Sequence, residues 1–376
     1  MTAKTRSPRL LYIDALRGLA ILGVLAYHLA IANSIGGALG RLLFSGARGV
    51  QLFFVVSAFT LCLSLDSKLA TEQRPIAAYF VRRFFRIVPL HHLALVAVLW
   101  YRGLGPRLAA PEGLAWWDVA MAALFLNGWH PYRFAAFVPG AWTIVTEVCF
   151  YTVLPVVHRL VRSLRGAAVL LAFTVPLAFL ARWGILAAFP HQDQEYVAAF
   201  SWMNFAAQAP VFAVGILCYH LVRQGLLAQW HARGLAPAMF LTAALAVLLL
   251  PFLPIGEFEA CLIYGLVCGV LLLGLHCMPL PVVVNRLLIF WGVRSYSAYI
   301  AHPGVMHLLQ PLRRWLADGL PTWLAASLWS LVVLAAVAAT AHLLHLAIEE
   351  PGRRLGARLI QKWGFGARSG QAVTSA

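Results

Sequence analysis

The sequence predicts an all-α polytopic membrane protein with about ten transmembrane helices in one domain enclosing a polar cavity, and three observations carry that prediction. Of 376 residues, 62% are hydrophobic and 11% charged, with a mean hydropathy of +0.80, far from the composition of soluble domains. Apolar runs of about 17 to 25 residues, the length that crosses roughly 30 Å of hydrocarbon, recur along the chain. The few ionisable residues inside those runs need a partner or a watery cavity, because a central Arg or Asp costs about 2.5 to 3.5 kcal/mol on insertion scales.

The runs are 11–33, 48–66, 89–104, 140–157, 167–189, 206–222, 236–254, 259–277, 288–310 and 323–346, with a weaker, shorter one at 115–127. The first follows a short N-terminal segment, 1–10, and carries Asp14, Arg17 and His28 with no small-residue cleavage site after it. It reads as a retained span, since the apolar core of a signal peptide would not hold such groups. If 115–127 does not cross, the segments 1–10, 67–88, 158–166, 223–235, 278–287 and 347–376 share one side. They hold nineteen Lys and Arg against five in the opposite loops, which places both termini in the cytoplasm. A crossing at 115–127 would export Arg159, Arg162, Arg165 and the cluster Arg353, Arg354, Arg358. Ten spans are therefore expected, with 115–127 interfacial or re-entrant. No repeat or linker divides the chain, so one membrane domain is expected over 11–350. A short basic cytoplasmic tail, 351–376, should fray.

The net charge of +16 collects between the runs, as membrane topology demands, and does not point to nucleic acid. The bilayer itself is the first partner. Cys62, Cys149, Cys218, Cys261, Cys268 and Cys277 all lie in apolar runs without CxxC spacing. They read as packing residues, with neither a disulfide framework nor a metal site expected.

Of the thirteen acidic residues, Asp14 and Glu147 lie inside runs, joined there by Arg17, His28, Arg182, Arg294 and His302. Arg17 and His28 are eleven residues apart, within about 20° of one helix face and about 16 Å along the axis, so they look into one cavity at two depths. Asp14 can pair with Arg17; His28 has no such local partner and is either a hydrogen-bonded packing residue or a working group. His28, Glu147 and His302 come out at similar depths towards the outer leaflet and could converge. An imidazole can take a hydroxyl proton while a carboxylate orients it. Arg182, at a comparable depth, is either the counter-ion of Glu147 or part of an acceptor site. Before the third run, Arg83 and Arg86 share a helix face, and guanidinium groups bind phosphate bidentately. They are either a lipid anchor at the inner surface or, beside a cavity holding Arg17, a cradle for the phosphates of coenzyme A.

Six ordered motifs resemble the membrane-bound acyltransferase-3 family of mainly bacterial O-acyltransferases. They are Tyr12-Ile-Asp-Ala-Leu-Arg-Gly-Leu-Ala-Ile followed by His28; Gly49-Val-Gln-Leu-Phe-Phe-Val-Val-Ser-Ala-Phe59; Arg83-x-x-Arg86; Trp142-Thr-Ile-Val-Thr-Glu147 with Tyr151 and Pro155 after it; Ser295-Tyr-Ser-Ala-Tyr-Ile-Ala-His302; and Ile348-Glu-Glu-Pro351. Ala58 stands where the family usually has glycine. The resemblance covers about residues 9 to 355 and implies a multi-pass protein of the bacterial cytoplasmic membrane. It further implies a cytoplasmic acyl-CoA donor, acetyl-CoA first among them, and an acceptor commonly met at the outer side. His28 would then be the essential catalytic histidine, with Glu147 orienting it or the acceptor. Arg17, Arg83 and Arg86 would hold the donor, while Ser295, Tyr296 and Ser297 line the pantetheine path. Trp142, Arg182 and His302 are the acceptor-side candidates. The activity so implied is O-acylation, most simply O-acetylation, of a polysaccharide, glycolipid or small hydroxyl acceptor. The rival reading is a proton-coupled secondary transporter built on the same buried charges, and a non-catalytic scaffold is the third.

Overall fold

The computed structural model describes residues 8–106, 110–190 and 194–366. The first seven residues of the expected N-terminal segment and residues 367–376 of the expected tail lie outside them. Seventeen α-helices follow one another among the described residues. They are α1 (Pro8–Ala32), α2 (Gly37–Phe44), α3 (Gly49–Thr71), α4 (Pro75–Arg102), α5 (Trp116–Ala123), α6 (Ala141–Leu160), α7 (Leu164–Ala188), α8 (Gln194–Met203) and α9 (Phe205–Arg223). The remainder are α10 (Leu226–Ala232), α11 (Ala236–Leu249), α12 (Glu257–Cys277), α13 (Arg286–Val293), α14 (Ser295–Leu308), α15 (Gln310–Gly319), α16 (Thr322–Leu344) and α17 (Glu350–Lys362). The chain is an all-α multi-pass membrane protein. Among the described residues, eight segments are long and apolar enough to cross a bilayer, and nine when the pair 226–232 and 236–252, bent by 94°, is taken as one.

The difference from ten continuous spans has local causes. The run 288–310 is broken at Arg294, whose backbone (φ −104°, ψ 8°) caps α13 and starts α14. Its Nη1 donates to the Phe290 carbonyl at 3.0 Å and its Nε to His342 Nδ1 at 2.9 Å, so a charged side chain satisfies groups that an unbroken helix would bond internally. The run 236–254 forms a helix of 14 residues, about 21 Å long. The segment 115–127 holds only the eight residues of α5, about 12 Å of helix and too short to cross.

Helix α1 runs through the core, with Leu16, Ile21 and Leu25 fully buried. It meets α13 backbone to backbone: a Cβ at Gly18 would overlap the Leu288 carbonyl, and one at Gly292 the Asp14 carbonyl. In hydrocarbon, such small-residue contacts replace the hydrophobic force that lipid cannot supply. Ala58 lies against α9 at Gly215, where a Cβ would overlap it, so the methyl that replaces the usual glycine is accommodated by glycine on the neighbour. Around this core, Trp100, Phe173, Trp183 and Leu331 are exposed and face the lipid that their chemistry requires.

Residues 350–366 are placed against the membrane domain. The last membrane segment continues through a π-helical turn at 345–349 into α17, whose Gly356 seats the Phe85 side chain of α4. Gln73 N–H donates to the Gly366 carbonyl at 2.9 Å, and Arg74 lies over the Phe365 ring.

Candidate active site

Two chambers lie one above the other along α1. The inner chamber, about 50 Å³, is lined by Arg17, Ser57, Arg86, Glu147, Ser295 and Tyr296. The outer one, about 320 Å³, is lined by His28, Arg48, Gln51, Trp142, Tyr196 and Trp202. Val50 and Tyr299 belong to both walls, and this shared wall is the neck that any passage between the chambers would have to cross. With eleven residues of helix separating them, Arg17 and His28 mark the two chambers at depths about 16 Å apart.

In the inner chamber a cluster of like charges is held together by interleaved carboxylates. Arg17 lies 4.0 Å from Asp14 and donates to Thr60 Oγ1 at 3.3 Å. Arg86 and Glu147 are both within its electrostatic reach. Ser57 Oγ donates to Glu147 Oε1 at 2.5 Å. Arg86 and Arg83 rise on one face of α4, and the Nε of each is buried with no hydrogen-bond partner among the described residues. Arg83 lies over the rings of Tyr79 and Tyr151. On the far side Glu349, delivered inward by the π-helical turn, accepts from Ser297 Oγ at 3.0 Å and pairs with His345 at 3.2 Å, within reach of Arg86. Such turns recur at functional sites. Tyr296 Oη donates to the Ile87 carbonyl at 2.7 Å, tying α14 to α4.

In the outer chamber His28 is half-buried, and no hydrogen bond to it is formed among the described residues. Its ring faces that of His302, with centroids 4.9 Å apart and a tilt of 42°. His302 is fully buried, its Nδ1 lies 2.8 Å from the Tyr299 carbonyl, and its Nε2 has no hydrogen-bond partner among the described residues. A carbonyl only accepts, so Nδ1 carries the proton and Nε2 keeps a lone pair. The carbonyl is available because residue 303 is proline and returns no N–H to it. Trp142 packs its ring edge-on against Phe54 and Trp202.

Several expected placements are corrected. His28, Glu147 and His302 do not form a trio: the two histidines meet, but Glu147 is drawn by Arg17, Arg86 and Ser57 into the inner chamber. Arg182 is not a partner of Glu147 and lines neither chamber; Glu259 takes it at 2.9 Å, and it lies over the Phe258 ring. Ser297 is turned away from the inner chamber towards Glu349, whereas Ser295 and Tyr296 do line it. Arg48, Gln51, Trp202 and Glu349 border the chambers without having been candidate site residues in the sequence, although Gln51 and Glu349 lie inside two of the motifs. Arg48 had a signal, being an arginine on the side poor in basic residues; it pairs with Glu257 and touches Cys261 Sγ at 3.1 Å.

A family model described as an acyltransferase domain matches residues 10–342. Across 93% of both chains, this one is 26% identical to an acyltransferase, MdmB, of Streptomyces mycarofaciens. It is 26% identical to nodulation protein 10 of Rhizobium leguminosarum over 77% of this chain and 82% of that one. A peptidoglycan O-acetyltransferase, OatA, of Listeria monocytogenes is 23% identical over 80% of this chain and 50% of its own. No solved structure matches.

Proposed function

The chain belongs to the acyltransferase-3 family, and on that premise we propose that it moves an acyl group, acetyl first, from cytoplasmic acyl-CoA to a hydroxyl of a carbohydrate or glycan-type acceptor. The observation that carries this reading is the alignment of two unlike chambers on one helix. Among the described residues, guanidinium groups with unused donors lie below, and a half-buried imidazole without a hydrogen-bond partner lies above. The membrane would be the bacterial cytoplasmic membrane with both termini inside, in keeping with the nineteen basic residues on one side against five.

Arg83 and Arg86 bind the donor's phosphates, and Arg17 continues the cationic lining inward. The pantetheine arm passes Ser295 and Tyr296 and crosses the neck at Val50 and Tyr299, which carries the thioester to His28. An imidazole nitrogen of His28 removes the proton from the acceptor hydroxyl as that oxygen attacks the thioester carbon. The C–S bond then breaks, and the proton passes to the departing thiolate. His302, held in one tautomer by the Tyr299 carbonyl, offers its Nε2 lone pair towards the His28 ring and steadies the imidazolium. Glu147 balances the arginine charge that the inner chamber would otherwise bury unpaired. Trp142 walls the acceptor side.

The test is the purified full chain in lipid with labelled acetyl-CoA. Wild-type protein should transfer or hydrolyse the acetyl group, and His28→Ala should lose at least about 100-fold in turnover, the size expected for general-base loss. Full turnover by a folded His28→Ala protein removes this histidine from the chemistry. Solute flux without acyl transfer would favour a transporter.

A further inference from the structure

A chain of two side-chain amides ends in the wall of the outer chamber. Gln208 Nε2 donates to the Trp202 carbonyl at 2.7 Å. A carbonyl cannot donate, so the other end of Gln208 is oxygen, and that Oε1 accepts from Gln51 Nε2 at 3.2 Å. The direction of both amides is thereby settled, and Gln51 must present its own Oε1 at the free end. Gln51 is 1% exposed, yet its Oε1 has no donor among the described residues. A buried amide oxygen without a donor is costly and rare.

The neighbouring groups narrow what is missing. Arg48 is occupied by Glu257, by Cys261 and by the faces of Trp202 and Tyr264. The Tyr299 hydroxyl is committed to the Gly140 carbonyl. The walls that remain are largely aromatic, with Trp142 and Trp202 edge to face. Besides those ring faces and the His28 imidazole, the chamber is lined by Tyr27, Glu195 and Tyr196, and Gln51 is the lining residue whose buried side-chain oxygen lacks a donor among the described residues.

Resting on the acyltransfer reading, we propose that Gln51 Oε1 accepts a hydrogen bond from a second hydroxyl of the acceptor while the first is presented to His28. The substrate class is then a polyhydroxylated ring, and a lone alcohol lacks half of what the chamber reads. Gln51 is a specificity residue that touches the acceptor and takes no part in proton transfer.

The experiment uses the full chain in lipid with acetyl-CoA and three kinds of probe: methyl glucoside, its four monodeoxy analogues, and cyclohexylmethanol as a single-hydroxyl alcohol. Wild-type protein should prefer methyl glucoside over one monodeoxy analogue that keeps the acylated hydroxyl, and over cyclohexylmethanol, by about tenfold or more. Q51M should raise the KM for methyl glucoside about tenfold and erase the deoxy preference. The kcat for methyl glucoside should move far less than the KM, a split that a merely structural role, lowering both together, would not produce. The deoxy series read on wild-type protein probes the same contact without a substitution, so the test survives if Q51M does not fold. A Q51M protein with undiminished deoxy discrimination overturns the proposal, as does wild-type protein that treats all probes alike. Hydrolysis with transfer to none of the probes overturns the polyol class alone. A wild-type protein that neither hydrolyses nor transfers acetyl overturns the acyltransfer reading and takes this one with it.

Discussion

His302 Nδ1 lies 2.8 Å from the carbonyl of Tyr299, an oxygen that a helix would normally commit to the backbone N–H four residues on and that Pro303 leaves unclaimed. The same arrangement recurs in α6. Pro155 frees the Tyr151 carbonyl, and Tyr79 Oη donates to it at 3.1 Å. Prolines inside membrane helices here create acceptors for site side chains, in a medium with no water to take their place.

Replacing Pro303 by Ala should therefore slow acyl transfer while leaving the protein well folded. The new N–H would compete for the Tyr299 carbonyl, a contest worth about 1 kcal/mol, and His302 would lose its fixed tautomer. A fall in turnover of about fivefold is expected. In a His302→Ala background the same change should have no further effect, because the group it acts through is gone. An equal fall in both backgrounds would show that Pro303 acts on helix geometry instead.

Arg86 should matter for donor affinity and Arg83 less so. Arg86 lines the inner chamber, while Arg83 lies against Tyr79 and Tyr151 beside an apolar groove. Arg86→Ala should raise the donor KM by about 10- to 100-fold, the loss of one or two charge-assisted hydrogen bonds. Arg86→Lys should recover only part of it, because an ammonium has no planar fork. Steady-state kinetics against acetyl-CoA at saturating acceptor decide the matter; a KM unmoved by Arg86→Ala removes this residue from the donor site.

Much of this was legible in the chain. Eleven-residue spacing placed Arg17 and His28 on one face of α1, and depth counting brought His302 to His28. Depth counting failed for Glu147, since it gives height and not azimuth: α6 turns this carboxylate to Arg17, Arg86 and Ser57 instead. The break at Arg294 was hidden because an apolar run records composition and not hydrogen bonding, and the guanidinium supplies bonds that hydropathy cannot register. Glu349 stood in the last motif, but its inward orientation was hidden for a related reason. The π-helical turn at 345–349 shifts the side-chain phase, and 3.6-residue periodicity does not anticipate it.

The contact of α1 with α13 predicts where stability is concentrated. At Gly292 any Cβ would overlap the Asp14 carbonyl, and neither partner is a flexible side-chain end. Gly292→Val should force the helices apart and cost about 3 kcal/mol or more, at the upper end of single-residue effects. Gly304, with nothing within 4 Å of a Cβ, is the control, and Gly304→Ala should be near neutral. Thermal unfolding in detergent compares the two, and a Gly292→Val protein as stable as wild type would contradict the backbone contact.

The neck offers the most direct test of the path from donor to histidine. Val50 is buried in the first turn of α3, and with Tyr299 it lines both chambers. A thioester bound through Arg86 has to pass it to meet His28. Val50→Trp adds a rigid bicyclic ring where the inner chamber has only about 50 Å³ to spare, so it should block the acyl arm. Transfer should fall at least about 100-fold, while CoA itself, held lower down, binds with unchanged affinity. Val50→Ala removes two methyl groups and should preserve or raise the rate, which separates blockage from damage to α3. Because the Trp and Ala variants push the neck in opposite directions, a common loss in both would mean misfolding. A Trp variant with wild-type turnover would mean that the donor reaches His28 by another route.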